Sequence, residues 1–453
     1  MPDAIRHHSA ASPSVEARAY FLALGTFFLS CGALLLTVVE MRRGILLPMA
    51  DYWKLGAPSA FLHVHAAHLA FLALALFGAW RSYRAMARRE ANLLRWGLDL
   101  TVARNALALG LMALLVVDLF AYRGVQAARI ASVGRLGVSV TFPVAELPTW
   151  LRPVGEAVNF LLVVWHATAL GLLIGALFLV LLFSGGFLKS VLAMRGLRGH
   201  VAGALLAVAY PFCSCCAGPA GASLYRGGAS LGATLAFVVA SPLLNVTTLS
   251  LAVALLPAEF ALLRIAGGVA VAVLGTWVVA RATRARFLAG KGAPGARPGW
   301  ARLVDAFSRW FAFERDVEGR VVQGPAALIA AWLSAAWHMA RVGVPVLFVA
   351  AAVMSVAAPT VLSFGGRNDV ATVVVAAAIG TLFMIPTWTE LALSLPLIQQ
   401  GLTGPAAALL LTLPAVSLPS LTIVGAALGS ARVPAVLAGA VFLVGVLAGL
   451  LFL

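Results

Sequence analysis

Residues 199–225 read GHVAGALLAVAYPFCSCCAGPAGASLY, a run without a single Lys, Arg, Asp or Glu. About 20 mostly apolar residues suffice for a helix to cross a bilayer, so the run is long enough to span. Its middle argues against a plain crossing. Pro211 and Pro219 flank Phe212-Cys213-Ser214-Cys215-Cys216-Ala217-Gly218, and an interior proline removes a helix hydrogen bond and clashes with the preceding turn. Three of the chain's 4 cysteines fall in this short stretch. The segment reads as an apolar run broken where its thiols sit.

The same character extends along the chain. Of 453 residues, 62% are hydrophobic and 11% charged, and the mean hydropathy is +1.00. A soluble domain needs far more polar surface, so the fold class is an all-α polytopic membrane protein. Further uncharged runs lie at 19–39, 57–80, 157–188, 227–258, 321–340, 342–366, 370–389, 391–431 and 433–453, with shorter apolar runs near 105–121, which has Asp118 inside it, and 265–280. No stretch has the form of a cleavable signal peptide. The net charge of +16 comes from Arg residues in the loops, the signature of positive-inside topology and not of nucleic-acid binding. Four cysteines, three of them clustered, do not make a secreted disulfide framework.

Loop charge sets the topology. Arg81, Arg84, Arg88, Arg89 and Arg95 mark 81–98 as cytoplasmic, and nine Lys/Arg against four acids mark 281–324 likewise. Within the latter, aromatics at about helical spacing from Trp300 to Phe311 predict an amphipathic surface helix. Lys189, Arg195 and Arg198 put 189–198 inside as well. An even number of crossings must then lie between 198 and 281, yet three runs are available. The count closes if 199–225 enters from the cytoplasm, turns at its Cys/Gly/Pro cluster and returns. Such backbone is tolerated at membrane depth only where protein or a cavity covers it. The second half repeats the pattern with opposite sign, with 370–400 broken at Pro386 and Pro396 and re-entering from outside. Arg226-Gly227-Gly228 resembles Gln399-Gln400-Gly401, and Ser241-Pro242 resembles Leu413-Pro414. The expectation is an inverted repeat with broken re-entrant hairpins and about 9–11 membrane segments. It divides into a three-span extension (1–125), an extracytoplasmic loop (126–156), a first repeat (157–282), a basic cytoplasmic loop (283–324) and a second repeat (325–453).

The candidate site residues sit at the breaks. Cys213, Cys215 and Cys216 offer soft sulfur ligands suited to Cu(I), Zn or trivalent metalloids, as a substrate site or a metal site. Glu390 is the carboxylate of the second hairpin, and an ionisable group at membrane depth is a functional hypothesis by default. Pro219, Pro386 and Asn245 complete the expected substrate contacts, with a structural, helix-bridging role the alternative for Asn245. His63, His65 and His68 read as interfacial histidines, as do Trp165-His166 and Trp337-His338 at the starts of their spans. Arg341 is expected to snorkel to the cytoplasmic face, Asp118 to be wet, and Cys31 to be inert.

Pro211-Phe212-Cys213-Ser214-Cys215, Pro219, Arg226-Gly227-Gly228, Leu231-Gly232 and Phe237 with Ala240-Ser241-Pro242-Leu243-Leu244-Asn245 form one block. Ile385-Pro386, Gln400-Gly401 and Leu413-Pro414-Ala415-Val416-Ser417-Leu418-Pro419-Ser420-Leu421 form another. Together they resemble the predicted permease family typified by the ArsP organoarsenical efflux permeases and their YraQ-type relatives, over roughly 157–453. The resemblance implies an inner-membrane permease. In the exporters of trivalent methylated arsenicals it implies that thiols hold the arsenic, here Cys213 and Cys215. The chain departs from the family at Cys216, at Trp388-Thr389-Glu390 and in its N-terminal spans.

The leading expectation is therefore a non-enzymatic efflux permease of the bacterial cytoplasmic membrane, without a cofactor. Its partners are the lipid bilayer and a small soft solute such as a trivalent arsenical or a metal species, and not nucleic acid. A membrane thiol-disulfide oxidoreductase using Cys213 and Cys216 is one alternative. A permease for an unrelated small solute is another, and a non-transporting sensor or scaffold a third. Oligomeric state is left open.

Overall fold

A helix of 12 or 13 residues is only about 18–20 Å long, too short for a hydrocarbon core of about 30 Å. The chain folds into such short helices beside its long ones, and that contrast organises it. The computed structural model describes residues 13–42, 64, 66–133, 143–183, 187–283, 309, 315, 322–362, 366–385 and 389–453. His63, His65, Pro386, Trp388 and, apart from Arg309, the expected surface helix around Trp300–Phe311 lie outside them.

The N-terminal helices are α1 (Pro13–Met41), α2 (Ala66–Arg95) and α3 (Thr101–Val133). The first half follows with α4 (Arg152–Phe183), α5 (Phe187–Leu192), α6 (Leu197–Val208), α7 (Ser214–Arg226), α8 (Leu231–Leu243), α9 (Val246–Leu255) and α10 (Ala258–Thr283, with a π-helical segment at Ala270–Gly275). The second half comprises α11 (Pro325–Leu362), α12 (Val370–Leu382), α13 (Thr389–Gln399), α14 (Thr403–Ala415), α15 (Leu418–Leu428) and α16 (Arg432–Leu450). No strand occurs among the described residues. Among the described residues, eight segments are long and apolar enough to span, counting α8 with α9 and α14 with α15 as one each. The chain is a multi-pass all-α membrane protein. The two runs expected at 321–340 and 342–366 are joined in the single helix α11, with Arg341 exposed in its middle.

Contacts along α8 fix the course of the first hairpin. Gly199 at the start of α6 faces Ser230, and Gly203 lies against the backbone of Ala233. Beyond the end of α6, the Tyr210 carbonyl accepts a hydrogen bond from Ser241 Oγ at 2.6 Å. α6 therefore runs parallel to α8. α7 runs back, since Gly221 faces Thr234 and Val238, and Ser230 N–H donates to the Leu192 carbonyl at 2.8 Å. The segment enters and leaves at one end of the bundle, as the charge count requires.

The second half repeats this from the other end. Gly380 on α12 faces Thr412, and Asn368 just before α12 meets Thr403 at 3.2 Å, so α12 runs parallel to α14. Ser394 on α13 reaches the Ala406 carbonyl at 3.5 Å as α13 returns. Both returning helices end in the same turn. Ala229 and Leu402 donate to the carbonyls five residues back (Leu224, Leu397), and Gly228 and Gly401 to those three back (Tyr225, Ile398). This is the Schellman pattern, which needs a left-handed residue; Gly228 (φ 103°) and Gly401 (φ 79°) supply it.

The two hairpins open at opposite ends. Arg226, closing α7, donates to the Ala426 carbonyl near the end of α15 at 3.3 Å. Phe260, just past the α9–α10 turn, stacks on C-terminal Phe452, ring centroids 4.6 Å apart, while Gly404 meets Gly449. One end thus holds Lys189, Arg195, Arg198, Arg226 and Arg432, and is cytoplasmic by the positive-inside rule. The other holds Glu259, Arg367 and Asp369.

Two of the contacts that dock the N-terminal helices involve Glu90 and Arg123. Tyr20 Oη and the backbone N–H groups of Ala326 and Ala327 all donate to Glu90, at 2.6, 2.7 and 3.0 Å. A carboxylate on the first N–H groups of α11 fills donors that a helix start leaves open. Arg123 Nε on α3 donates to the Pro211 carbonyl at 3.2 Å, at the break between α6 and α7.

Candidate functional site

The thiols sit where backbone hydrogen bonding lapses and restarts. Cys213 is the N-cap of α7 in extended backbone (φ −76°, ψ 165°), and Cys215 and Cys216 lie in its first turn. This geometry gathers the sulfurs: Sγ–Sγ is 2.7 Å for 213–215, 2.9 Å for 213–216 and 3.9 Å for 215–216. All exceed a disulfide bond of about 2.05 Å, and the three are free thiols, each 0–3% exposed. The triangle is small enough that a point about 2.3 Å from every sulfur, the zinc–thiolate bond length, lies just off its plane. A soft ion or a trivalent metalloid fits that donor set, whereas Mg and Ca seek oxygen ligands.

Both halves wall the triad. Thr168 Oγ1 on α4 stands 3.8 Å from Cys216 Sγ. Gly171 lets α4 approach so closely that a Cβ there would be 3.3 Å from that of Cys216, and one on Gly218 would be 3.0 Å from Ser420 Cα on α15. Pro219 is buried within α7.

At the second tip the chemistry is ionic. Glu390 lies in the first turn of α13, and its Oε1 is 3.0 Å from Arg264 Nη2 on α10, both side chains at most 2% exposed. Arg264 also donates to the Pro242 carbonyl at 3.1 Å and to the Leu410 carbonyl. Its placement has a cause. Residue 414 is proline, so the Leu410 carbonyl has no N–H donor four residues on, and Pro242 lies at the α8–α9 break. One guanidinium thus completes a broken helix of each half and anchors the second hairpin.

Asn245, the N-cap of α9, uses its whole side chain locally. It accepts from Thr248 N–H (2.9 Å) and Thr247 Oγ1 (2.8 Å), and donates to the carbonyls of Ser241 (2.8 Å) and Pro242 (3.3 Å). Of the residues expected at the site, the three cysteines form one cluster. Glu390 and Asn245 form a second, joined through the Pro242 carbonyl and Arg264. Pro386 is outside the described residues.

Three expectations are corrected. Asp118 is not wet: it is 7% exposed and paired with Arg42. Trp165-His166 does not open a span, because α4 begins at Arg152, and His166 is 2% exposed in its middle. Trp337-His338 likewise lies well inside α11, which begins at Pro325. Arg264, Arg42 and Arg123 lie at or near the ends of the apolar runs at 265–280, 19–39 and 105–121, where a charge draws no notice. An isolated Arg within a long apolar stretch is itself the signal that marks a buried partner.

With that geometry in place, comparison with known proteins is informative. Residues 156–453 match the model of the ArsP_1 family, described as predicted permease. The chain is 30% identical over 284 residues to UPF0718 protein YraQ of Escherichia coli (strain K12), covering 62% of this chain and 75% of that one. No solved structure matches. The chain belongs to the ArsP_1 predicted permease family.

Proposed function

With that membership as the premise, we propose that this membrane permease exports a small thiol-reactive species across the bacterial cytoplasmic membrane. Its substrate class is a trivalent methylated arsenical, or a metal or metalloid of like softness. The observation that carries the reading is the thiol triad, three buried sulfurs within 3.9 Å at the tip of a re-entrant hairpin. Substrates of inverted-repeat transporters bind at such broken helices near the midplane. Here Cys213 and Cys215 hold the soft centre, Cys216 supplies a third ligand, and Pro219 helps to shape the returning helix. Because α4 and α15 cover the triad, release to either side requires the two halves to part alternately around it. Glu390, with Arg264, fixes the second hairpin as the counterweight of that movement.

The test is methylarsenite accumulation in cells expressing wild type, Cys213→Ser/Cys215→Ser or empty vector. Wild-type cells accumulate least, and the double variant matches the vector. Equal accumulation with wild type and vector rejects the arsenical substrate.

One observation favours a second reading, a membrane thiol-disulfide oxidoreductase. Cys213 and Cys216 are a Cys-x-x-Cys pair at a helix start, 2.9 Å apart. Among the described residues, no cysteine stands at the second tip to continue a relay. Thiol alkylation that is unchanged after treatment with oxidant or reductant excludes this alternative.

A further inference from the structure

Two thiols at positions i and i+3 share one face of a helix, which is all that a dithiol site needs. Here a third joins them. On a continuous helix Cys215 would point away from Cys213. Cys213, however, is the extended N-cap of α7, and from there its sulfur reaches both of the others, at 2.7 and 2.9 Å. Cys216 is held from the far side. Thr168 Oγ1 stands 3.8 Å from its sulfur, and the bare backbone of Gly171 lets α4 close on it and on Phe212. The triangle is thus set by the N-cap on one side and by α4 on the other.

Its shape is selective. At a metal–thiolate bond of about 2.3 Å, an atom bonded to all three sulfurs stands about 1.2 Å out of their plane, with bond angles of roughly 90° on average. Zinc closes a tetrahedron and needs a fourth ligand. Among the described residues, no His, Asp, Glu or further Cys joins the three sulfurs within 4.8 Å. A planar three-coordinate ion such as copper(I) asks for edges of about 4 Å at that bond length, whereas two edges here are 2.7 and 2.9 Å. Trivalent arsenic and antimony carry a lone pair where a fourth ligand would stand, and with three sulfurs they form a pyramid of this kind.

Valence then separates the forms of the metalloid. Thiols exchange with hydroxyl groups on it and not with carbon. A dimethylated arsenical offers one exchangeable position, a monomethylated one offers two and the unsubstituted trihydroxide offers three. A monomethylated arsenical is complete on Cys213 and Cys215, and only the trihydroxide forms a covalent bond to every sulfur of the triad.

We propose that the triad is built for an unsubstituted trivalent metalloid hydroxide, As(OH)3 or Sb(OH)3, and that Cys216 is the residue that selects it over the methylated forms. The inference rests on the triad being the substrate contact. Binding is a condensation. Three S–H bonds and three metalloid–oxygen bonds break, three metalloid–sulfur and three O–H bonds form, and three water molecules leave. No electron is transferred. Neither the free thiols nor the bound product carries a net charge, which spares a buried site the cost of an unpaired ion.

The test uses purified full-length Cys31→Ala protein, in which only the triad can react. Arsenite and methylarsenite are bound separately, and each adduct is weighed by native mass spectrometry. The arsenite adduct is expected to have lost three waters and the methylarsenite adduct two. Cys216→Ser is expected to lower the ratio of arsenite to methylarsenite affinity at least about a hundredfold, the lower range of what one further intramolecular attachment adds. Cys216→Ala is expected to do the same, and the unfolding midpoint of each variant checks that it is folded. Wild-type cells are expected to accumulate less arsenite than cells with empty vector. If arsenite binds with loss of only two waters, or the affinity ratio is unchanged in both variants, Cys216 does not select and the methylated reading stands. Displacement of bound arsenite by equimolar Zn(II), or arsenite accumulation equal to that with empty vector, overturns the assignment in the same way. If neither arsenical binds the triad, the thiol reading falls and this inference with it.

Discussion

At the first hairpin tip three buried sulfurs stand within 3.9 Å of one another, bonded mainly among themselves. At the second, a buried carboxylate meets a guanidinium at 3.0 Å, and that guanidinium reaches into both halves of the chain. The backbone around the two is alike: an entering helix of 12 or 13 residues, a break, a returning helix closed by the same glycine turn. The difference lies in what each break carries. A charge pair locks helices together and is costly to disturb, whereas soft thiols hold nothing structural and are available to a ligand. On the proposed reading the architecture divides the labour of a repeat, with the ionic tip fixing the frame and the thiol tip handling the substrate.

Breaking the ionic tip should have the largest effect on stability. Arg264→Met or Glu390→Leu alone strands a buried charge, with an expected loss of about 3–5 kcal/mol, read as a lower unfolding midpoint of the purified protein. The double variant should recover most of it, because no charge is left unpaired. A double variant as unstable as the singles would show that Arg264 acts through the Pro242 and Leu410 carbonyls and not through Glu390.

The seating of the hairpins sharpens the comparison further. A Cβ at Gly203 would meet the backbone of Ala233, which has no side chain to turn aside, whereas one at Gly380 meets chiefly the Thr412 side chain. Overpacking costs about 1–3 kcal/mol, with Gly203→Ala expected near the top of that range and Gly380→Ala near the bottom. The reverse order would mean that the second hairpin is the more tightly fixed of the two at its entry. Between those two should fall the effect of Cys213→Ser/Cys215→Ser on stability, about 1 kcal/mol per buried hydroxyl, alongside complete loss of export.

Much of this was legible in the sequence, for reasons that are physical. Bilayer thickness makes long apolar runs visible, and the parity of Arg-bearing loops forced 199–225 to return to the side it entered. Three cysteines between two prolines marked the first tip. The sequence hid the partners. Arg264 interrupts an apolar stretch, so it looked like the end of a span, when it lies within α10 and is wholly buried. Arg42 and Arg123 look like loop charges in the sequence and Asp118 like a wet residue near the end of its run, because nothing in one helix's periodicity reveals a charge on another that pairs with it. His166 was misplaced because α4 starts at Arg152, beyond the uncharged run, with Glu156 in its opening turns.

The central claim, that the thiol tip holds a soft substrate and the ionic tip does not, is tested most directly by titrating the purified full-length protein with methylarsenite and counting bound arsenic by intact-mass spectrometry. The account predicts one equivalent for wild type, for Cys31→Ala and for the Arg264→Met/Glu390→Leu double variant, and none for Cys213→Ser/Cys215→Ser. One equivalent retained by the double-serine variant, or binding lost with Cys31, would contradict it.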